Sequence, residues 1–342
     1  MDKMIKKKRA VLLVNVGTPD KPTVLAVRRY LTQFLNDARV IDLPWLFRKI
    51  LVNLIIVPFR APKSTKLYQQ LWTEQGSPLL INLNRLCAKL QNVLGDHYKI
   101  YGAMRYGKPS LKNKLDEINK QNFEELIVIP LFPQYASSTS DTVIEFVKGE
   151  TKRWSTKPTI RFVKQFYDHP GFLNAFEHQI RQANPKNFDH VLFSFHGLPI
   201  RQVNKVHPKI KAEACSCTEQ MPAHGKYCYK ATCYETTRLL AKRLNLGKAD
   251  YSVSFQSRLS KNWLQPFTDE YIGQLTTQGI KKLLVVVPSF VADCLESNVE
   301  IAIQARQIFI DAGGEEFVMV ESLNDSDLWV EGLVEIIGQL IS

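Results

Sequence analysis

Eight short runs of aliphatic and β-branched residues punctuate this chain, each followed by glycine or proline and then by a helix-like stretch. The first half holds Ala10–Val16, Tyr98–Ala103, Glu125–Leu131 and Thr159–Gln165; the second holds Asp189–Phe195, Asp250–Phe255, Lys282–Val287 and Glu316–Val320. A strand with one wet face alternates polar and apolar residues, whereas a strand buried on both faces has no reason to. Continuous apolar runs alternating with helices therefore predict parallel sheets covered on both sides. Four runs precede Asp168 and four follow it, so two similar α/β halves are expected. Doubly wound sheets bind ligands outside the carboxyl ends of their strands, near the point where strand order reverses. Chemistry is accordingly sought just after each run.

Four of these ends stand out: Asn15-Val16-Gly17-Thr18-Pro19, Pro130-Leu131-Phe132-Pro133-Gln134-Tyr135, Ser194-Phe195-His196-Gly197-Leu198-Pro199 and Pro288-Ser289-Phe290-Val291-Ala292-Asp293. None carries the glycine fingerprint of a dinucleotide site or a Walker loop. The formal net charge of +12 implies an anionic partner, whether nucleic acid, lipid surface or acidic small molecule. No helix-turn-helix or RNA-binding signature is present, which leaves nucleic acid without support. The apolar run after Lys6–Arg9 ends in Gly-Thr-Pro rather than at a small-residue cleavage site, so it reads as a first strand and not as a secretory signal. No stretch reaches the ~18 apolar residues of a bilayer span. A cytoplasmic chain is expected, with its six cysteines reduced unless they bind metal.

Imidazole exchanges protons near neutrality. His196 therefore reads as a base or metal contact on a crevice floor, or as a structural histidine bonded to nearby backbone. Asp293, Glu296 and Glu300 share a helical face by their i, i+3, i+4 spacing. Proton relay or cation guidance would justify stacking carboxylates that repel; equally, Asp293-x-x-Glu296 is a helix-capping pattern. Cys215, Cys217, Cys228 and Cys233 crowd one segment, which suggests a thiolate site for zinc or a [2Fe–2S] cluster, the alternative being disulfides or unrelated thiols. His207 and His224 are near enough in sequence to serve as zinc ligands, while Cys87 and Cys294 read as buried apolar fillers. Trp45–Phe59 is apolar almost all round yet too short to span a membrane. It is either a core helix or, with Arg48, Lys49, Arg60 and Lys63 beside it, a hydrophobic lip.

In this order, several pieces resemble the ferrochelatase family: LLVNVGTP near the start, GSPLL at Gly76–Leu80, AMRYG at Ala103–Gly107 and LFPQYASST from Leu131. They continue as SFHGLP from Ser194, FQSRLSKNWLQPFT from Phe255 and SFVADCLES from Ser289, so the resemblance runs from about residue 10 to residue 300. It implies the class II chelatase fold, two Rossmann-like domains each with a four-stranded parallel sheet flanked by helices, with a porphyrin cleft between them. The domains are expected over residues 1–168 and 169–342, the last helix packing back on the first. The activity implied is insertion of Fe²⁺ into protoporphyrin IX.

By the same resemblance His196 is the histidine that accepts pyrrole protons or meets the metal. Glu296 is the acidic residue opposite, with Asp293 and Glu300 as relay members. Arg105, Tyr106, Gln134, Tyr135, Ser194 and Trp263 are cleft positions, and Arg60 a lip arginine near the propionates. Val16 and Cys294 depart from members that carry a methionine or tyrosine, and a histidine, at those places. A bacterial group with four cysteines clustered internally resembles this chain best, which favours [2Fe–2S] over zinc on Cys215, Cys217, Cys228 and Cys233. A basic lip suits both a porphyrin dicarboxylate and an anionic inner-membrane surface, so peripheral attachment and contact with the preceding haem-pathway enzyme are expected. The rival readings are a coproporphyrin ferrochelatase, another tetrapyrrole chelatase, and a porphyrin carrier whose cysteines sense redox state.

Overall fold

A computed structural model describes residues 8–206 and 210–341, so the basic lead-in before Lys8, and His207, lie outside the described residues. Each of the eight apolar runs contributes a strand, and the strands form two four-stranded sheets in which every pairing is parallel. The chain divides into two compact units. One takes the chain as far as Phe132, then Ser137–Gln165 and the stretch from Leu333; the other takes Pro133–Ala136 and Phe166–Gly332.

The first unit contains β1 (Arg9–Thr18), α1 (Val24–Leu35), α2 (Trp45–Ile50), a π-helical segment (Leu51–Ile56), α3 (Val57–Leu71) and α4 (Pro78–Leu94). There follow β2 (Tyr98–Gly107), α5 (Leu111–Asn119), β3 (Glu125–Pro130), a π-helical turn (Ser137–Asp141), α6 (Thr142–Thr151) and β4 (Thr159–Phe162). Strand order is β2-β1-β3-β4. Central position explains the unbroken apolar sequence of β1, whose residues Ala10–Val14 are fully buried because helices cover both faces. Leu12 and Val14 pack with Leu115, Phe123 and Val143 in one continuous cluster. At the end of β1 the backbone of Gly17 adopts φ +127°, and a Cβ there would lie 1.8 Å from the Tyr106 carbonyl oxygen. Only glycine lets β1 approach β2 so closely at the ligand end of the sheet.

The second unit repeats the plan with α7 (Pro170–Gln182), β5 (His190–His196), α8 (Ile200–Asn204), α9 (Tyr229–Leu244), β6 (Tyr251–Gln256) and α10 (Thr268–Thr277). It continues through β7 (Lys282–Val286), a π-helix (Glu296–Ala305), α11 (Arg306–Asp311) and β8 (Glu316–Met319) into the start of α12 (Asp327–Ile341). Strand order is β6-β5-β7-β8, the same pattern as before. Leu192, Leu283, Val285, Phe309 and Phe317 form its core. Strand order reverses between β1 and β3 and again between β5 and β7, so the loops leaving those strands occupy the switch points where such sheets bind ligands.

Candidate functional site

His196 is the last residue of β5, at the second unit's switch point. Its Nδ1 lies 2.6 Å from the Gly197 carbonyl oxygen. A carbonyl only accepts, so Nδ1 carries the hydrogen and the lone pair of the neutral ring is on Nε2. The two readings of this histidine are thus compatible, because a structural bond to backbone fixes the tautomer of a base. Trp263 and Phe290 flank the imidazole, each with its ring centroid 6.3 Å away.

The acidic stripe differs from the sequence expectation. Glu296 opens the π-helix and Glu300 lies within it, but Asp293 precedes the helix and does not share its face. The reason is a cap shifted by one residue. Ser297 Oγ accepts the Cys294 N–H at 3.0 Å while the Cys294 carbonyl takes the Asn298 N–H, so Cys294 and Ser297 fill the capping roles expected of Asp293 and Glu296. Asp293 is held elsewhere: its N–H donates to Asn324 Oδ1 at 2.9 Å, and Asn324 Nδ2 donates to its carboxylate at 3.0 Å.

Two residues that sequence reasoning passed over hold the π-helix in place. Ser194 Oγ donates to Gln256 Oε1 at 2.9 Å, and Gln256 Nε2 donates to the Glu296 carbonyl at 3.1 Å. The next residue, Ser257, has φ +62° and donates its hydroxyl to the Glu300 carboxylate. Both lie inside the FQSRLS piece, but no local pattern announces a partner some forty residues away. Ser194 itself is fully buried and also bonds Thr268 at 2.9 Å. Gln134, almost fully buried, donates to Thr236 Oγ1 at 3.0 Å, and Tyr135 packs edge-on against Tyr227.

Arg105 and Tyr106 belong to the first unit, and both converge on Asp37, which the sequence did not single out. Arg105 Nη2 lies 2.6 Å from Asp37 Oδ2, and the Tyr106 hydroxyl donates to the same oxygen at 3.0 Å. Arg105 also donates to the Thr142 carbonyl and stacks over Phe146 at 4.5 Å. Burial, ahead of the neighbouring charges, raises the Tyr106 phenol well above its ordinary range. Arg60 sits half-buried on α3. Around it Trp45, Leu46, Phe47, Leu54, Ile55 and Phe59 expose between 52% and 73% of their surface. That exposure is not that of a core helix. Arg48 turns inward with Val52 and Val57, donating to the Leu43 carbonyl at 2.7 Å.

Cys215, Cys217, Cys228 and Cys233 are all buried and unpaired by disulfides. Burial pushes the Cys217 thiol up to about 12 and raises those of Cys228 and Cys233, against a smaller opposing pull on Cys217 and Cys228 from Lys230. His224 Nε2 lies 3.4 Å from Cys215 Sγ. Among the described residues no three His, Cys, Asp or Glu side chains converge where a single metal ion would fit.

Comparison with known proteins follows this geometry. The ferrochelatase family model matches residues 8–340. Ferrochelatase from Legionella pneumophila (strain Corby) is 42% identical over 337 residues, 98% of this chain and 100% of its own length. Ferrochelatase from Coxiella burnetii (strain Dugway 5J108-111) is 41% identical over 334 residues, 96% of this chain and 92% of its own. Among solved structures, SirB from Bacillus subtilis with Fe³⁺ covers 97% of this chain and 95% of its own at 11% identity, with a TM-score of 0.54. The cobalt complex of the sirohydrochlorin chelatase SirB from Bacillus subtilis subspecies spizizenii gives 0.52 at 10% identity, covering 97% and 95% of the two chains. These structures share the two-sheet chelatase fold.

Proposed function

The chain belongs to the ferrochelatase family and is an enzyme that inserts Fe²⁺ into a porphyrin; from this premise we propose that the porphyrin is protoporphyrin IX, the product protohaem and the step the last of haem biosynthesis. The observation that carries the site assignment is the fixed tautomer of His196. Insertion removes two pyrrole protons, and the ring offers Nε2 as acceptor because Nδ1 is spoken for by Gly197. A positioned base of this kind contributes roughly 10²–10⁴-fold. Glu296 and Glu300, set by Gln256 and Ser257, replace water around Fe²⁺ or carry the released protons away, while Asp293, the third relay candidate, is held on Asn324. Trp263 presents a flat apolar face next to the base. In the first unit Asp37 holds Arg105 and Tyr106 in place, and Arg60 meets a porphyrin carboxylate.

The apolar lip supports protoporphyrin, which has two carboxylates, over coproporphyrin, which has four. It also supports docking on an anionic membrane surface, where the porphyrin and the enzyme that makes it are met. No helix among the described residues is long and apolar enough to cross a membrane.

The residues of the cysteine segment fit a [2Fe–2S] cluster. Each of its two irons takes two thiolates, so the four sulfurs need not converge on one point as a zinc tetrahedron requires. When bound, such a cluster supplies a one-electron redox centre. Lys230 Nζ donates to the Ala212 carbonyl at 2.8 Å and Arg238 to that of Cys217 at 3.0 Å, which ties the loop to α9.

Anaerobic turnover with Fe²⁺ tests the reading, with protoporphyrin IX and coproporphyrin III compared and the visible spectrum recorded as isolated. Protohaem formed by the wild type and lost in Glu296→Gln is expected, with cluster absorption that disappears in Cys228→Ser. Preference for coproporphyrin reassigns the substrate, and binding without metallation by the wild type leaves a carrier.

A further inference from the structure

Gln134 follows β3 in sequence, yet Pro133–Ala136 belongs to the second unit, where the side chain is buried to 2% exposure. Both ends of its amide are engaged there. Thr236 Oγ1 gives its hydrogen to the Thr232 carbonyl at 2.8 Å, so it can only accept from Gln134 Nε2 at 3.0 Å. That fixes which way the amide faces, and Gln134 Oε1 accepts from the Ser289 hydroxyl at 3.4 Å. Ser289 Oγ also lies 3.1 Å from the Tyr229 hydroxyl, which donates to the His196 carbonyl at 2.8 Å. The phenolic proton being committed, the Ser289 proton is the one shared between the Tyr229 oxygen and Gln134. Tyr229, Thr232 and Thr236 stand at i, i+3 and i+7, on one face of α9. On the opposite edge of the His196–Gly197 peptide, the Gly197 N–H donates to the Gln256 carbonyl at 2.8 Å. The peptide is therefore held from both edges, and Gly197 then supplies the carbonyl that fixes the imidazole.

We propose that Gln134, Ser289 and Tyr229 are positioning residues that together hold the main chain of His196, so that Gln134 serves the reaction through the base and not by touching porphyrin. Buried and engaged at both ends of its amide, Gln134 offers a macrocycle next to no surface. What it does hold is the Ser289 hydroxyl, which in turn steadies the phenol on the His196 carbonyl. Loss of any member loosens one edge of the peptide, and the ring orientation follows, while porphyrin binding stays in place. The inference rests on His196 being the base, as proposed above.

The test is a mutant cycle on the full-length enzyme, read in steady-state kinetics and in the ring-nitrogen signals of His196. Those signals come from protein labelled with ¹⁵N-histidine and are assigned by their absence in His196→Ala. Gln134→Met and Ser289→Ala are each expected to lower kcat about three- to tenfold, the worth of one hydrogen bond, while KM for porphyrin stays within about twofold. Each should also shift the His196 signals, and Ser289→Thr, which keeps the hydroxyl, should recover most of both losses. In the Tyr229→Phe background Gln134→Met should change neither readout, because the path to His196 is already cut. A Gln134→Met enzyme with raised KM and unmoved His196 signals overturns the proposal, since it places Gln134 on the macrocycle. Equal effects of Gln134→Met with and without Tyr229 overturn it as well. Should Tyr229→Phe not fold, Ser289→Ala serves as the background under the same criteria. Failure of the underlying reading looks different: His196→Ala would then still metallate porphyrin at the wild-type rate.

Discussion

Gln256 donates its side-chain amide to the main-chain carbonyl of Glu296, 3.1 Å away and forty positions further along the chain. Its own carbonyl is meanwhile taken by Ser194, two residues before His196 on β5. One amide thus ties the strand that ends in His196 to the helix that opens at Glu296. Gln256→Met keeps the length of the side chain and removes both bonds, leaving buried polar groups unsatisfied at about 1–3 kcal/mol. A lowered thermal midpoint and a kcat reduced roughly tenfold are expected, with little change in KM for porphyrin, because the loss falls on geometry between reacting groups. Steady-state kinetics beside a melting curve separate these effects, and unchanged kcat would remove Gln256 from the site.

Ser257 raises a question of strain. A non-glycine residue at φ +62° costs about 1 kcal/mol, offset here by the hydroxyl bond to Glu300. Glycine relieves the backbone and removes the hydroxyl; alanine removes the hydroxyl and keeps the strain. Ser257→Gly should therefore be more stable than Ser257→Ala by about 1–2 kcal/mol in urea unfolding. Activity should fall equally in both, since each removes the hydroxyl bond to Glu300. A fully active glycine variant would show that the serine serves only its turn.

The contrast between Ser257 and the strands marks how far sequence reaches. The inner strands β1, β3, β5 and β7 were legible because a strand buried on both faces must be apolar over most of its length, whereas the partly exposed edge strands β4 and β8 were legible through the repeated rhythm of run, punctuation and helix. The place of His196 at the end of a central strand was legible for a related reason, and it is there that doubly wound sheets bind ligands. Asp293 was misplaced because a capping serine three residues downstream of Cys294 outcompeted the acidic pattern, a choice settled by backbone geometry. Asp37, Gln256 and Ser257 were invisible because each acts through a partner distant in sequence, and a hydrogen bond of that kind leaves no periodic trace.

Asp37 and Arg105 form a largely buried ion pair, with side chains 11% and 13% exposed. Removing one partner strands the other charge, so Asp37→Ala should cost about 3–5 kcal/mol of stability. Removing both costs less. The double variant Asp37→Leu with Arg105→Met should recover most of the loss, because apolar residues of similar volume replace a buried pair with little penalty. Chemical denaturation of the two single variants and the double checks this, and additive losses would mean that the pair is effectively solvated.

His190, at the start of β5, is held below the ordinary imidazole range, chiefly by burial. Its Nε2 meets Ser252 Oγ at 2.7 Å. A depressed folded-state pKa favours the folded protein above the unfolded value of 6.5, and that advantage is lost as pH falls toward the folded value, where the unfolded chain binds the extra proton first. Over the interval of acidification that opens at the unfolded value of 6.5, stability should therefore decline, and decline less in His190→Gln. Melting curves of the two proteins across that interval should converge on acidification; parallel curves would assign the acid sensitivity to other groups.

Phe47 and Phe59 expose 67% and 73% of their surface on the lip, in a protein carrying a formal net charge of +12. Side chains so exposed contribute little to folding, and surface substitutions of this kind usually change stability by no more than about 0.5 kcal/mol each. Phe47→Glu with Phe59→Glu should therefore melt close to the wild type. On anionic vesicles the effect should be large, because each change withdraws an aromatic ring from the lipid boundary and adds a charge repelled by the headgroups. Sedimentation with phosphatidylglycerol vesicles should carry down the wild type and leave the variant in solution, and vesicle-borne protoporphyrin should show a raised KM. If the variant sediments as the wild type does, the basic surface elsewhere holds the protein to lipid and the lip serves the porphyrin alone.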